Sequence, residues 1–313
     1  MMSNAPRATS TSERGFVLVA VLWIIAALSA LATIFALYLS NSAQALAISD
    51  TSLRAEALVS ASVELTAYQL SLTQGNARPL QGSFRYRMND ADIVVAFVSE
   101  GGRIDLNLAP KGLLENFLSG LGAAPQDAAQ YADRIIGWRT PPKPNSVEDE
   151  VSLYRAAGLA YSPRQAPFAH VNELALVVGL PPALVDRALP FVTVFSGQPK
   201  INVLVAPPEV IAALPGMTPS ALKEFLGTRP TLPRDNAAIA AALGPAQASA
   251  TIEKSDFFRI RTTIRFENGR QTSSEVVIDL GGEQDPYRVL SWRDAVETTT
   301  DRARKLVGGS DDF

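Results

Sequence analysis

The sequence predicts an α+β fold: one long N-terminal helix on an antiparallel sheet, with a large helical domain inserted into that sheet. Three observations predict it. A charge-free apolar run fills residues 16–39, and no Pro or Gly follows until Gly75. Apolar residues alternate with polar ones in two separated blocks, near 84–108 and near 257–292. The stretch between the blocks, about 109–250, is rich in Ala, Leu and Pro and reads as helical.

The apolar run FVLVAVLWIIAALSALATIFALYL comes first. At about 1.5 Å per residue its roughly 24 residues span about 36 Å, enough to cross a hydrocarbon core of about 30 Å. In lipid a single segment satisfies its backbone only as a helix. Arg7 and Arg14 precede the run and the next arginine is Arg54, which places residues 1–15 in the cytoplasm and the remainder outside. A secretory signal has a shorter apolar region, about 7–15 residues. Cleavage within Ser29-Ala30-Leu31-Ala32 would split a helix that otherwise continues.

Leu58, Ala61, Leu65, Tyr68 and Leu72 then recur at helical spacing, an apolar stripe expected to pack on a sheet. Gly75-Asn76 ends the helix. Phe84, Tyr86 and Met88 alternate with Arg85 and Arg87, the period of a half-buried strand. After the turn at Asn89-Asp90, residues 93–98 form a second strand. Gly101-Gly102 signals a hairpin into a third strand at 104–108. Downstream, Ile260, Thr262, Ile264 and Phe266 face one way, while Arg259, Arg261, Thr263 and Arg265 face the other. Asn268-Gly269 is a hairpin turn. Val276, Ile278 and Leu280 continue the pattern, and residues 287–292 form a last strand. Organisation follows: 1–15 a cytoplasmic leader; 16–75 the N-terminal helix, its 16–39 portion transmembrane; 76–108 and 251–293 the sheet; 109–250 the inserted helical domain; 294–313 a polar, disordered tail.

Composition excludes several function classes. The 313 residues are 47% hydrophobic and 19% charged, with a formal charge of −3. There is no basic excess for nucleic acid. With no cysteine, disulfides and thiolate metal sites are excluded. His170 is the single histidine. A Ser-His-Asp triad would need it, and no G-x-S-x-G elbow stands beside it. No motif points to an enzyme or to a cofactor.

Three segments of the insertion look alike: residues 103–139, 171–192 and 200–229. Each reads as helix, Gly-containing turn and helix, the pattern of helix–hairpin–helix or SAM-like units. In the third, Thr218 caps a helix that starts at Pro219. This segment resembles the DNA-binding module of membrane-anchored competence receptors, which sets up an alternative function. Its hairpin, Gly216-Met217-Thr218, lacks the second glycine of that motif. The segment carries few cations, Lys200, Lys223 and Arg229, and Glu209 and Glu224 offset two of them. A compact packing module is the other reading, and no nucleic acid is expected.

Gly15-Phe16, at the lip of the apolar run, resembles the processing site of type IV pilin-like precursors. Further motifs add to it in order: GGRIDLNLAP (101–110), ADRIIGWR (132–139), PFAHVNELALVVGL (167–180), KINVLVAPPEVIAALPGM (200–217), FFRIRTTIRF (257–266) and YRVLSWRD (287–294). Over nearly its whole length the chain resembles the protein K family of minor pseudopilins of the type II secretion system. The resemblance implies a pilin-like fold and a structural, non-enzymatic role at the tip of the pseudopilus, in complex with the minor pseudopilins I and J. It implies cleavage by the prepilin peptidase after Gly15 and N-methylation of Phe16. The mature protein would be single-pass in the inner membrane of a Gram-negative bacterium, with most of the chain in the periplasm. Pilin-like subunits mostly carry Glu at the fifth mature position, and protein K subunits lack it; here that position is Ala20. Calcium sites occur in the inserted domain of the family. The acidic run Glu148, Asp149 and Glu150 is the candidate for one, with solvated surface as the other reading.

Overall fold

The computed structural model describes residues 12–73, 78–142, 150–282 and 285–295. It divides into two compact units at Ser60.

In the first unit a single helix, α1 (Ser12–Leu72), passes through Gly15 and Phe16 without a break. Its stretch Val17–Ser40 is long and apolar enough to cross a membrane, and none of it is buried. With no backbone partner available in lipid, a continuous helix is the only way for this stretch to satisfy its amides.

The second unit begins with the end of α1. Strands β1 (Gln81–Met88) and β2 (Ala91–Ser99) form an antiparallel hairpin. A 3-10 turn at Glu100–Gly102 follows, and then the two-residue strand β3 (Ile104–Asp105). The helical region comes next: α2 (Lys111–Gly120), α3 (Pro125–Arg139), α4 (Glu150–Ala156) and α5 (Pro182–Ala188). Short strands β4 (Val192–Thr193) and β5 (Ile201–Asn202) lead to α6 (Pro208–Ala212), α7 (Pro219–Thr228) and α8 (Asn236–Leu243), and β6 (Ala250–Thr251) closes the region. The chain then returns through β7 (Phe257–Phe266), β8 (Gln271–Asp279) and β9 (Arg288–Ala295).

The main sheet has the order β1-β2-β7-β8-β9, with every neighbouring pair antiparallel. β2 and β7 are adjacent although the whole helical region separates them in sequence. Residues on one face line up across the strands: Ile93 opposite Ile264, Phe97 opposite Ile260, and Ile260 opposite Val276. All of these are buried.

The face of α1 that meets this sheet is not the expected one. Leu65, Tyr68 and Leu72 are exposed, at 36%, 62% and 65%. The buried face carries Ser62, Val63, Thr66, Ala67 and Leu70. Ser62 shares a 2.8 Å hydrogen bond with the Tyr86 hydroxyl, and Thr66 donates to the Ser62 carbonyl at 2.7 Å. Those bonds let hydroxyls lie inside without an unsatisfied group, which is why a face with two polar residues is the buried one.

Three further expectations are corrected. Gly101-Gly102 does not turn a hairpin. Gly102 lies against the backbone of Val205 and Ala206, where a Cβ would come within 3.1 Å of the Ala206 nitrogen; the glycine serves close approach. Residues 104–108 add no strand to the main sheet, since Ile104 and Asp105 pair in parallel with Val192 and Thr193. The last strand begins at Arg288 and runs to Ala295, taking in two residues expected in the tail. Gly75-Asn76 and residues 296–313 lie outside the described residues.

Candidate functional site

The helical region is built from two repeats of one backbone circuit, residues 103–197 and 200–254. Each opens on a short strand, β3 or β5. In the first, Asp105 Oδ1 accepts the Asn107 amide at 2.8 Å, and the Ala109 amide returns to the Asp105 carbonyl at 2.8 Å. In the second, Asn202 Oδ1 accepts the Leu204 amide at 3.1 Å, and the Ala206 amide returns to the Asn202 carbonyl at 3.1 Å. The side chain shapes the turn by mimicking a backbone acceptor. Pro110 and Pro207 then start α2 and α6. A second helix follows in each repeat, and each ends on an arginine aimed back at the turn. Arg139 donates to the carbonyls of Leu106 and, at 2.7 Å, Ala109. Arg229 donates to those of Val203, at 3.5 Å, and Ala206, at 2.8 Å. These are equivalent positions. Each repeat closes on a strand parallel to its first, β4 on β3 and β6 on β5. There Thr193 and Thr251 accept the amide two residues on. The three segments that look alike in sequence are therefore two repeats, with residues 171–192 forming the closing half of the first.

A charged joint ties the repeats to the sheet. Glu100, fully buried, accepts Arg259 Nε at 2.6 Å and Nη2 at 3.0 Å. Its second oxygen also takes the hydroxyl of Thr193, and Arg103 lies 3.6 Å away with its own bond to the Pro190 carbonyl. Arg259 continues to Glu275 at 2.5 Å, and Glu275 also holds Arg261 at 3.0 Å and Arg293 at 2.5 Å. Burial alone would raise the Glu275 carboxyl; the Arg259 charge and the arginine hydrogen bonds outweigh it and hold the group at about 2. Burial likewise works against the Arg259 charge, but Glu100 and Glu275 bind it and push its pKa up. Burial and the neighbouring Arg259 bring Arg103 down to about 10. With Gly102 on Val205 and Ala206, the turn Glu100–Gly102 contacts sheet, first repeat and second repeat together.

No local sequence pattern marks Glu100 as buried. Its partner Arg259 stands on the outward-facing side of β7, as the alternation requires, but the base of the insertion covers it. The signal available was the cross-strand pairing of Arg261 with Glu275, which a strand register would have exposed.

Gly15 and Phe16 sit near the start of α1, and Ala20 lies within its membrane-length stretch. Glu148 and Asp149 lie outside the described residues. Glu150 is the counter-ion of Arg134 at 3.2 Å and folds over Gly137 of α3. His170 accepts the Asn172 amide at 3.1 Å and caps the 3-10 helix Val171–Leu176. Burial, then the Arg293 charge, lowers its pKa. The glycine hairpin that the DNA-binding alternative would use packs inward. Gly216 has φ +86 and faces Pro245, and Arg229 is spent on carbonyls of its own repeat.

The fold and the joint define a class: an α+β protein with a membrane-length N-terminal helix and a helical domain inserted between adjacent strands of an antiparallel sheet. The comparisons narrow it. The family described as type II secretion system (T2SS), protein K matches residues 96–197, which cover the end of β2, the joint turn and the first repeat. The type II secretion system protein K of Klebsiella pneumoniae is 27% identical over 155 residues, 44% of this chain and 47% of that protein. The chain thus aligns with under half the length of that relative. A chain in the crystal structure of the GspK-GspI-GspJ complex from the enterotoxigenic Escherichia coli type 2 secretion system shares the fold. The TM-score is 0.59 at 16% identity, over 78% of this chain and 96% of that one. Residues 96–197 thus match the model of the protein K family of type II secretion, the family that the motifs resemble.

Proposed function

We propose that the protein is a minor pseudopilin that caps the tip of the type II secretion pseudopilus, helps to initiate its assembly and so supports export of folded proteins across the outer membrane. The prepilin peptidase cuts after Gly15, Phe16 becomes the N-methylated first residue, and α1 stays in the inner membrane with the N-terminus cytoplasmic. The sheet and the SAM-like helical insertion stand in the periplasm as a bulky end piece.

Ala20 carries the tip reading. A carboxylate in this position inside lipid needs the N-terminal amine of a neighbouring subunit, and unpaired it costs several kcal/mol. A subunit at the end of the filament lacks one such neighbour, and an alanine avoids the penalty.

The surface for the partners is the exposed stripe Leu65, Tyr68 and Leu72 on α1. An apolar helix face left open in the free chain suits a second amphipathic helix. The minor pseudopilins I and J, which share a complex with the structural relative, are its expected occupants. Mass spectrometry of the protein from cells with active prepilin peptidase tests the reading. The expected N-terminus is methylated Phe16; an intact Met1 would overturn it.

A further inference from the structure

Among the described residues, a cavity of about 560 Å³ opens where the segment before β1 meets the second repeat. A volume in this range suits a small organic ligand. One part of its wall is apolar, at Leu80, Leu204 and Ile252, and three cations, Arg78, Arg234 and Lys254, stand around it. Acids are also present, two of them with partners of their own. Asp235 accepts the Ala238 amide at 2.7 Å and so caps α8. Asp256 takes Arg78 Nη1 at 2.5 Å. Glu253 is the remaining acid of the wall.

Arg78 is left with unmet demand. Arg78 Nε is buried and has no acceptor, an arrangement that costs stability unless a ligand or water supplies one. Lys254 donates to the Arg78 carbonyl at 3.3 Å. Its pKa is lowered, first by burial and then by the charges of Arg78 and Arg234. Three cations thus stand beside a wall that favours apolar surface.

We propose that this cavity binds an organic anion: a phosphate or carboxylate held by Arg78, Arg234 and Lys254, carried on an apolar body that rests on Leu80, Leu204 and Ile252. Arginine suits such oxyanions because its planar fork donates two parallel bonds. The apolar wall then separates such a ligand from a bare ion.

Isothermal titration calorimetry tests this on the full chain in maltoside detergent, with phenyl phosphate, inorganic phosphate and benzyl alcohol as probes. Saturable binding of phenyl phosphate is expected, weaker binding of inorganic phosphate, and none of benzyl alcohol. Arg234→Gln and Lys254→Gln should each weaken phenyl phosphate about tenfold, the scale of one charge-assisted hydrogen bond. Glu253→Gln removes a competing negative charge and should strengthen it several-fold. Arg234 and Glu253 are exposed, so these two variants keep the fold while shifting affinity in opposite directions. Absence of saturable phenyl phosphate binding overturns the site, as does an affinity indifferent to both Arg234→Gln and Glu253→Gln. Equal affinity for inorganic phosphate overturns the organic class of ligand.

Discussion

The two helical repeats follow one backbone path but stabilise it with different chemistry. At the opening turn the first repeat uses the carboxylate of Asp105 and the second the amide of Asn202. The spare oxygen of Asp105 faces donors, the Ser196 hydroxyl at 3.0 Å and the Gly197 amide at 3.2 Å. The amide nitrogen of Asn202 faces an acceptor, the Glu253 carbonyl at 2.9 Å. The turn itself requires only a side-chain oxygen, and the second atom is matched to what the closing strand presents. The cores differ too. Trp138, Tyr154 and Phe168 cluster at ring separations of 6.0 Å in the first repeat, while the second centres on Phe225 and small aliphatics. The attachments differ most. The first repeat is held to the sheet by a buried ion pair through Thr193, and the second by backbone laid on Gly102.

That contrast can be broken from either side. Glu100→Ala leaves Arg259 buried beside the Thr193 hydroxyl with its main counter-ion gone. The expected loss is about 3–5 kcal/mol, read from denaturant unfolding of the full chain. A loss below about 1 kcal/mol would mean the joint does not hold the first repeat. Arg139→Met removes two charged bonds to carbonyls and should cost about 3 kcal/mol. Arg229→Met, whose contact to Val203 is long, should cost about half that. Equal losses would deny that the first latch is the tighter. Gly102→Ala pushes a methyl against the backbone of the second repeat and should cost about 1–3 kcal/mol. Hydrogen exchange should place the loosening in residues 200–206 rather than in the first repeat.

The smallest effect is in pH. Burial raises the Asp105 carboxyl above its ordinary 3.8, against the hydrogen bonds from Asn107, Ser196 and Gly197. The folded state thus holds that proton longer, and stability falls as pH rises from about 3.8 through the folded pKa. Glu275 has the opposite sign. Its contribution is complete above the ordinary 4.5 and is lost as pH falls toward about 2. The second repeat has Asn202 in the equivalent place and adds no such dependence. Asp105→Asn should therefore remove the decline that begins near 3.8 and keep the loss of the Glu275 contribution toward acid, as thermal unfolding against pH will show.

Local patterns were legible and distant pairings were not. The alternation through Phe257–Phe266 and the Asn268-Gly269 turn are written in neighbouring residues, so β7 and β8 followed from the sequence. The membrane-length stretch is equally local. Glu100 and Arg259 stand on opposite sides of the insertion, and nothing near Glu100 marks it as buried. Gly101-Gly102 carried the composition of a hairpin, while its purpose depends on Val205 and Ala206, a hundred residues on. The stripe on α1 misled because both faces of that helix carry apolar residues. The buried face includes Ser62 and Thr66, whose hydroxyls find partners only in the fold. The matching positions of Asp105 and Asn202 were visible as RIDLNLAP and KINVLVAP, though not that Arg139 and Arg229 return to them.

The same stripe supplies the most direct test of the functional account. The full chain is to be co-purified from membranes with the minor pseudopilins I and J, both as it stands and with Leu65→Asp and Tyr68→Asp together. The account predicts a stable complex with the unaltered chain and its loss in the double variant, which places charge only on the exposed face of α1 and should leave thermal stability unchanged. A failure of the unaltered chain to bring down either partner, or a double variant that still does so, would contradict it.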